Sequence, residues 1–104
     1  MRYGLNEETI RTIIDVFRQY PKIKKVILYG SRAKGTHKHS SDIDLTVLAD
    51  NFEFNEYQQL QVALDDLMLP YIIDLSMCKD ISNQDLLDHI QRVGIIFYEK
   101  SQLD

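Results

Sequence analysis

The segment from Leu28 to Leu45, Leu-Tyr-Gly-Ser-Arg-Ala-Lys-Gly-Thr-His-Lys-His-Ser-Ser-Asp-Ile-Asp-Leu, constrains the fold more than any other part of the chain. It joins two chemically different pieces. The apolar run Val26-Ile27-Leu28-Tyr29 stops abruptly at Gly30-Ser31, the pattern of a buried strand ending in a tight turn where glycine supplies backbone angles other residues resist. Backbone N–H groups after such a turn, with the Ser31 hydroxyl, can hold phosphate oxygens. The second piece, Ser41-Asp42-Ile43-Asp44-Leu45-Thr46-Val47-Leu48, alternates as a strand does. Residues two apart share a face, so Asp42 and Asp44 point one way and Ile43 and Leu45 the other.

Two carboxylates ~6 Å apart repel by about 3 kcal/mol at an effective dielectric of ~20. A hard cation converts that repulsion into binding, and carboxylate oxygens are the usual magnesium ligands in phosphate chemistry. A Gly-Ser turn alone is usually only a turn, and a lone Asp-x-Asp usually lies on a solvated face. It is their order and spacing that is specific.

Gly-Ser-Arg-Ala-Lys-Gly followed by Ser-Asp-Ile-Asp-Leu resembles the signature of the polymerase-β-type nucleotidyltransferases, and more closely that of the minimal nucleotidyltransferases. The resemblance implies an α/β (α+β) domain, a mixed sheet of about four strands with helices packed on it. It implies transfer of a nucleoside monophosphate, AMP from ATP, to an acceptor hydroxyl. Gly30, Ser31, Arg32 and Lys34 are the expected nucleotide-binding residues, although the family more often has arginine where Lys34 stands. Asp42 and Asp44 are the expected catalytic ligands of two magnesium ions. The family also carries a third acid on a later strand. Asp74, in Tyr71-Ile72-Ile73-Asp74-Leu75-Ser76-Met77, meets that expectation; by itself it would read as a surface aspartate.

Minimal members of the family typically pair with a separate helical protein of HEPN type, in many cases a toxic ribonuclease that the nucleotidyltransferase silences by adenylylating it. The expected partners are therefore ATP and a HEPN-type protein. Two alternatives stay open on the residues. The chain could be a non-catalytic module that neutralises a helical partner by contact, or a transferase for a small molecule such as an aminoglycoside.

The rest of the chain fits one domain over residues 1–104. Asn6 can cap a helix carrying Ile10, Ile13, Ile14 and Phe17, which Pro21 ends. A second helix is expected from about Asn55 to Leu69 with Leu60, Ala63, Leu64 and Leu67 inward. A third starts at Ser82-Asn83 and carries Leu86, Leu87, Ile90 and Val93. Ile95-Ile96-Phe97-Tyr98 reads as the last strand, and the residues after Glu99 read as a frayed tail. His37 and His39 read as loop histidines rather than metal ligands, and His89, among helical residues, receives no role.

A net charge of −4 argues against a dedicated nucleic-acid binder. The lone Cys78 excludes an internal disulfide. No apolar run is long enough to span a membrane, so a cytoplasmic protein is expected.

Overall fold

The computed structural model describes residues 1–101; the end of the expected tail, residues 102–104, lies outside them. The elements run α1 (Glu7–Arg18), β1 (Ile23–Tyr29), α2 (Gly30–Lys34), β2 (Ile43–Ala49), α3 (Phe54–Asp65), β3 (Ile73–Met77), a single 3-10 turn (Cys78–Asp80), α4 (Gln84–Val93) and β4 (Ile95–Glu99). The strand order is β3-β2-β1-β4. β1 is antiparallel to both β2 and β4, while β2 and β3 are parallel. This is the expected mixed four-stranded sheet.

Local chemistry accounts for the helix starts. The Asn6 side chain accepts from the Thr9 N–H at 2.7 Å, and Asn83 accepts from Leu86 N–H at 3.0 Å, each satisfying an amide that the helix cannot. At α3 the cap is Glu53, with Glu56 reaching back to its N–H, a capping box in which glutamate replaces the usual serine or threonine. α3 ends at Asp65, four residues before the expected Leu69. The acidic pair Asp65-Asp66 sits at the negative end of the helix dipole, and Met68 turns the chain with φ of 56°. β3 starts at Ile73, two residues later than the apolar run suggests, because Tyr71 turns away to lie over the Arg32 guanidinium.

Alternation along the strands gives the sheet two unlike faces. Val26, Leu28, Ile43, Leu45, Val47, Leu75 and Met77 are buried with Ile10, Ile13 and Phe17 of α1 and Leu60 and Leu64 of α3 in one core. The other face carries Ile27, Tyr29, Asp44, Thr46, Asp74 and Ser76. α4 approaches this second face: the backbone at Gly94, where it ends, lies against Ile27. Of the α4 stripe only Ile90 is buried, with Leu86, Leu87 and Val93 half-covered.

Candidate active site

Register assembles the acids. Tyr29 of β1 stands opposite Asp44 of β2, and Asp44 stands opposite Asp74 of β3. A row Tyr29–Asp44–Asp74 therefore crosses three strands on the face away from the core. One step along lies a second row, Ile27–Thr46–Ser76, in which the Ser76 hydroxyl donates to Thr46 Oγ1 at 3.0 Å. Asp42, two residues before Asp44, is exposed at the entrance to β2, and Asp74 is exposed on the edge strand. Sequence reasoning gave Tyr29 no role. Its alternation with buried Leu28 was the signal, because it turns the phenol onto the acidic face.

The turn after β1 closes on this row. Gly30 has φ of 75°, in the left-handed region where only glycine is unstrained. A Cβ there would also collide with Asp44 Oδ2. The carboxylate thus uses the space glycine leaves, which ties the turn to the acid pair. Ser31 is half-buried beside it and Lys34 is exposed at the end of α2. The Gly30 N–H donates to Nε2 of His89 on α4 at 3.1 Å, and the His89 ring stands edge-on to Tyr29 with centroids 6.2 Å apart. This contact joins residues 59 apart in the chain, and no local pattern marks it.

Arg32, expected at the nucleotide, is enclosed by backbone carbonyls. It is 2% exposed. Its guanidinium donates to Tyr3 O at 2.8 Å, to Ser41 O at 2.8 and 3.2 Å and to His39 O at 3.3 Å. It also lies 5.0 Å from the centroid of the Tyr71 ring. The planar fork suits this cage of carbonyls and the aromatic face beneath it. Arg32 thereby ties together the N-terminal turn, the 36–42 link and the approach to β3. The carbonyl it holds most firmly, that of Ser41, belongs to the peptide bond leading into Asp42. The link is braced internally as well, by Lys38 N–H donating to Ser41 Oγ at 2.8 Å. His37 packs against Gly4 and His39 stands edge-on to Tyr71.

The electrostatics are those of a crowded acidic face. The Asp44 carboxyl is raised above the ordinary aspartate pKa, first by burial, then by the charges of Asp74 and Asp42, with Arg32 opposing. Tyr29 is raised mainly by burial; a hydrogen bond with Ser76 opposes, and the Asp74 and Asp44 charges add to the rise. Among the described residues, no three His, Cys, Asp or Glu side chains converge tightly enough to enclose a metal ion as they stand. An open carboxylate face still suits magnesium, which is usually held by one or two carboxylates together with substrate phosphates rather than by an all-protein cage. Asp42, Asp44 and Asp74 present hard oxygen donors with repulsion to relieve, and so fit such a cation.

Comparison with known proteins extends this geometry. A family model described as polymerase beta, nucleotidyltransferase matches residues 11–103. The Haemophilus influenzae protein named "Probable protein adenylyltransferase MntA" is 25% identical over 99 residues, covering 94% of this chain and 86% of that one. A crystal structure of a toxin–antitoxin with AMP-PNP superimposes with a TM-score of 0.70 at 25% identity, over 89% of this chain and 75% of that one. A Shewanella oneidensis MNT antitoxin structure, in complex with a tri-AMPylated HEPN toxin, aligns with a TM-score of 0.67 over 96% of this chain and 77% of its counterpart. At 22% identity that last likeness shows the shared fold.

Proposed function

The chain belongs to the polymerase-β nucleotidyltransferase family, and from that premise we propose that it transfers AMP from ATP to a hydroxyl of a helical, HEPN-type partner protein. The observation that carries the reading is the row Tyr29–Asp44–Asp74 set against the Gly30–Ser31 turn. Two acids, Asp44 and Asp74, stand side by side in that row next to the turn, and Asp42 precedes Asp44 by two residues. The protein adenylyltransferase name of the Haemophilus relative and the toxin–antitoxin setting of the structural neighbours support the donor and acceptor classes. In this reading residues 1–104 act as one catalytic domain, in the cytoplasm where ATP is at hand. Among the described residues no helix is long and apolar enough to cross a membrane.

Each residue then has a job. Ser31 binds phosphate oxygens of the triphosphate through its hydroxyl and N–H. Gly30 keeps the turn open to Asp44. Lys34, exposed on α2, neutralises charge that builds on the departing pyrophosphate; Arg32 instead fixes the link that carries Asp42. Asp42 and Asp44 would hold two magnesium ions, with Asp74 sharing the one nearer the acceptor. Magnesium bound there supplies charge neutralisation at the transferred phosphoryl group and a lowered pKa for the attacking hydroxyl. The acceptor oxygen forms a bond to the α-phosphorus, the bond to the bridging oxygen breaks, and pyrophosphate leaves. Asp74, exposed on the edge strand, favours loss of the acceptor's proton.

The test is incubation of the purified chain and the protein encoded beside it with magnesium and ATP labelled in the α-phosphate. Label is expected on the partner, and none with Asp44→Asn. Label on a small molecule such as an aminoglycoside in place of the partner would replace the acceptor. No transfer to either would overturn the activity.

A further inference from the structure

From α4, distant in sequence, the His89 side chain reaches the phosphate turn. Its Nε2 accepts from the Gly30 N–H. A nitrogen that accepts carries no proton, so this bond requires the neutral imidazole with its hydrogen on Nδ1. Protonating Nε2 turns the acceptor into a donor and breaks the bond. The freed Gly30 N–H and the new Nε2–H would then both be donors at the same turn. Two such donors suit a phosphate oxygen and nothing cationic.

We propose that His89 is a proton-linked polyphosphate-binding residue. In the free protein it occupies the Gly30 N–H; when the triphosphate arrives it takes up a proton and, with Gly30, binds a phosphate oxygen. The proposal rests on Gly30–Ser31 being the phosphate turn. The proton comes from solvent and returns there when pyrophosphate leaves.

Charged and titratable groups face His89 from each element packed on α4. On α4 itself Asp85 and Asp88 precede it and Arg92 follows, and Asp88 is hydrogen-bonded to Gln84. α4 packs against α2 and β1. From β1 the ring meets Tyr29, while Lys24 and Lys25 are paired with Asp50 and Glu99. From α2, Arg32 is closed in its carbonyl cage and Lys34 is exposed. Beyond Gly30 stands Asp44. A polyanion entering this turn would be the strongest influence on the imidazole, and it favours the imidazolium.

The experiment is calorimetric titration of the whole chain with α,β-methylene-ATP and excess magnesium at pH 7.5, in two buffers of different ionisation enthalpy. Wild type is expected to take up close to one proton, so its dissociation constant should rise about tenfold per pH unit above neutrality. His89→Gln keeps an acceptor for Gly30 but cannot be protonated. It should bind with no uptake and a flat pH profile. A second readout needs no variant: NMR of the three histidines should show the His89 ring changing from the neutral Nδ1–H form to imidazolium on adding ligand. Binding without uptake, equal uptake in both proteins, or an unchanged neutral ring in the complex would overturn the proposal. Failure of wild type to bind the triphosphate at all would overturn instead the assignment of the Gly30–Ser31 turn.

Discussion

Replacing Arg32 separates a clamp from a phosphate ligand. Arg32→Ala removes a guanidinium that is 2% exposed, with two bonds at 2.8 Å to Tyr3 and Ser41 carbonyls, two weaker ones and a tyrosine face at 5.0 Å. A hydrogen bond from a charged group is worth roughly 1.5–3 kcal/mol and a desolvated cation–π contact about 2 kcal/mol. Their sum overshoots, because among the described residues no carboxylate is bonded to this buried cation and its desolvation takes back several kcal/mol. A net loss of about 3–4 kcal/mol is what losing a buried charged group's contacts usually produces. For a chain of this size that lowers Tm by roughly 12–30 °C. Arg32→Lys keeps the charge but offers a compact ammonium in place of the planar fork, so about half the loss should remain.

A phosphate ligand would behave in the opposite way: unchanged melting without ligand, and at least a tenfold weaker affinity for ATP. Thermal melts of the three proteins, alone and with magnesium and ATP, together with a nucleotide titration, decide the matter. Melting of both variants within ~3 °C of wild type, with lost nucleotide affinity, would refute the clamp.

Ser31→Ala should leave the melting temperature nearly unchanged and weaken triphosphate binding by roughly 1.5–3 kcal/mol, the value of a charge-assisted hydrogen bond; equal affinity by calorimetry would remove Ser31 from the site. Gly30→Ala should destabilise by about 1–2 kcal/mol for the left-handed backbone alone, and should abolish transfer because its Cβ displaces the Asp44 carboxylate; a fully active variant would separate the turn from the acids. Asp44→Asn should raise apo stability at neutral pH while ending catalysis. Because the folded Asp44 pKa is raised, the folded state holds that proton more tightly, and stability falls as pH climbs through the raised pKa and stays lowered above it. The gain from asparagine should therefore vanish in melts well below pH 3.8, the ordinary value, and a gain that persisted there would mean the charge is not its cause.

What could be read from the sequence was set by how local the cause is. Helix stripes, the Asn6 and Asn83 caps and the strand alternation all act within a few residues, and the structure follows them. The two-residue period of a strand suggests a shared face for Asp42 and Asp44, but β2 starts at Ile43 and leaves Asp42 just outside it, while Asp74 needs the parallel register that puts it opposite Asp44. Where the cause is distant, the sequence is silent. An arginine two residues after the strand-ending glycine looks free to meet a phosphate. Its fate depends on Tyr3 and Tyr71, one near the N-terminus and one near the start of β3, and neither announces a cage for a cation. His89 stands on a helix stripe whose period explains its neighbours and says nothing of Gly30. The α3 boundary differs for a smaller reason: Leu67 and Leu69 continue the apolar pattern, while the helix ends at Asp65, where acidic residues meet the negative end of its dipole.

The two long-range contacts bear on the same chemistry from opposite sides. Arg32 holds the Ser41 carbonyl next to Asp42, just before β2, and His89 accepts from the N–H of the turn that Asp44 packs against. One is a permanent cation buried among carbonyls, whose state no physiological pH change can alter. The other is an imidazole that accepts from a backbone N–H. The link before Asp42 is thus held by a fixed cation, while the Gly30–Ser31 turn is met by an imidazole. A transferase built this way keeps its carboxylates in position whether or not nucleotide is present, and confines its response to ligand to the turn. The two substitutions should accordingly fail differently: Arg32→Lys by lowered stability at every pH, His89→Gln by a lost pH dependence of nucleotide affinity. If His89→Gln reproduced the melting loss of Arg32→Lys and kept the pH profile, both residues would be scaffold, and the division between fixed acids and a responsive turn would fall.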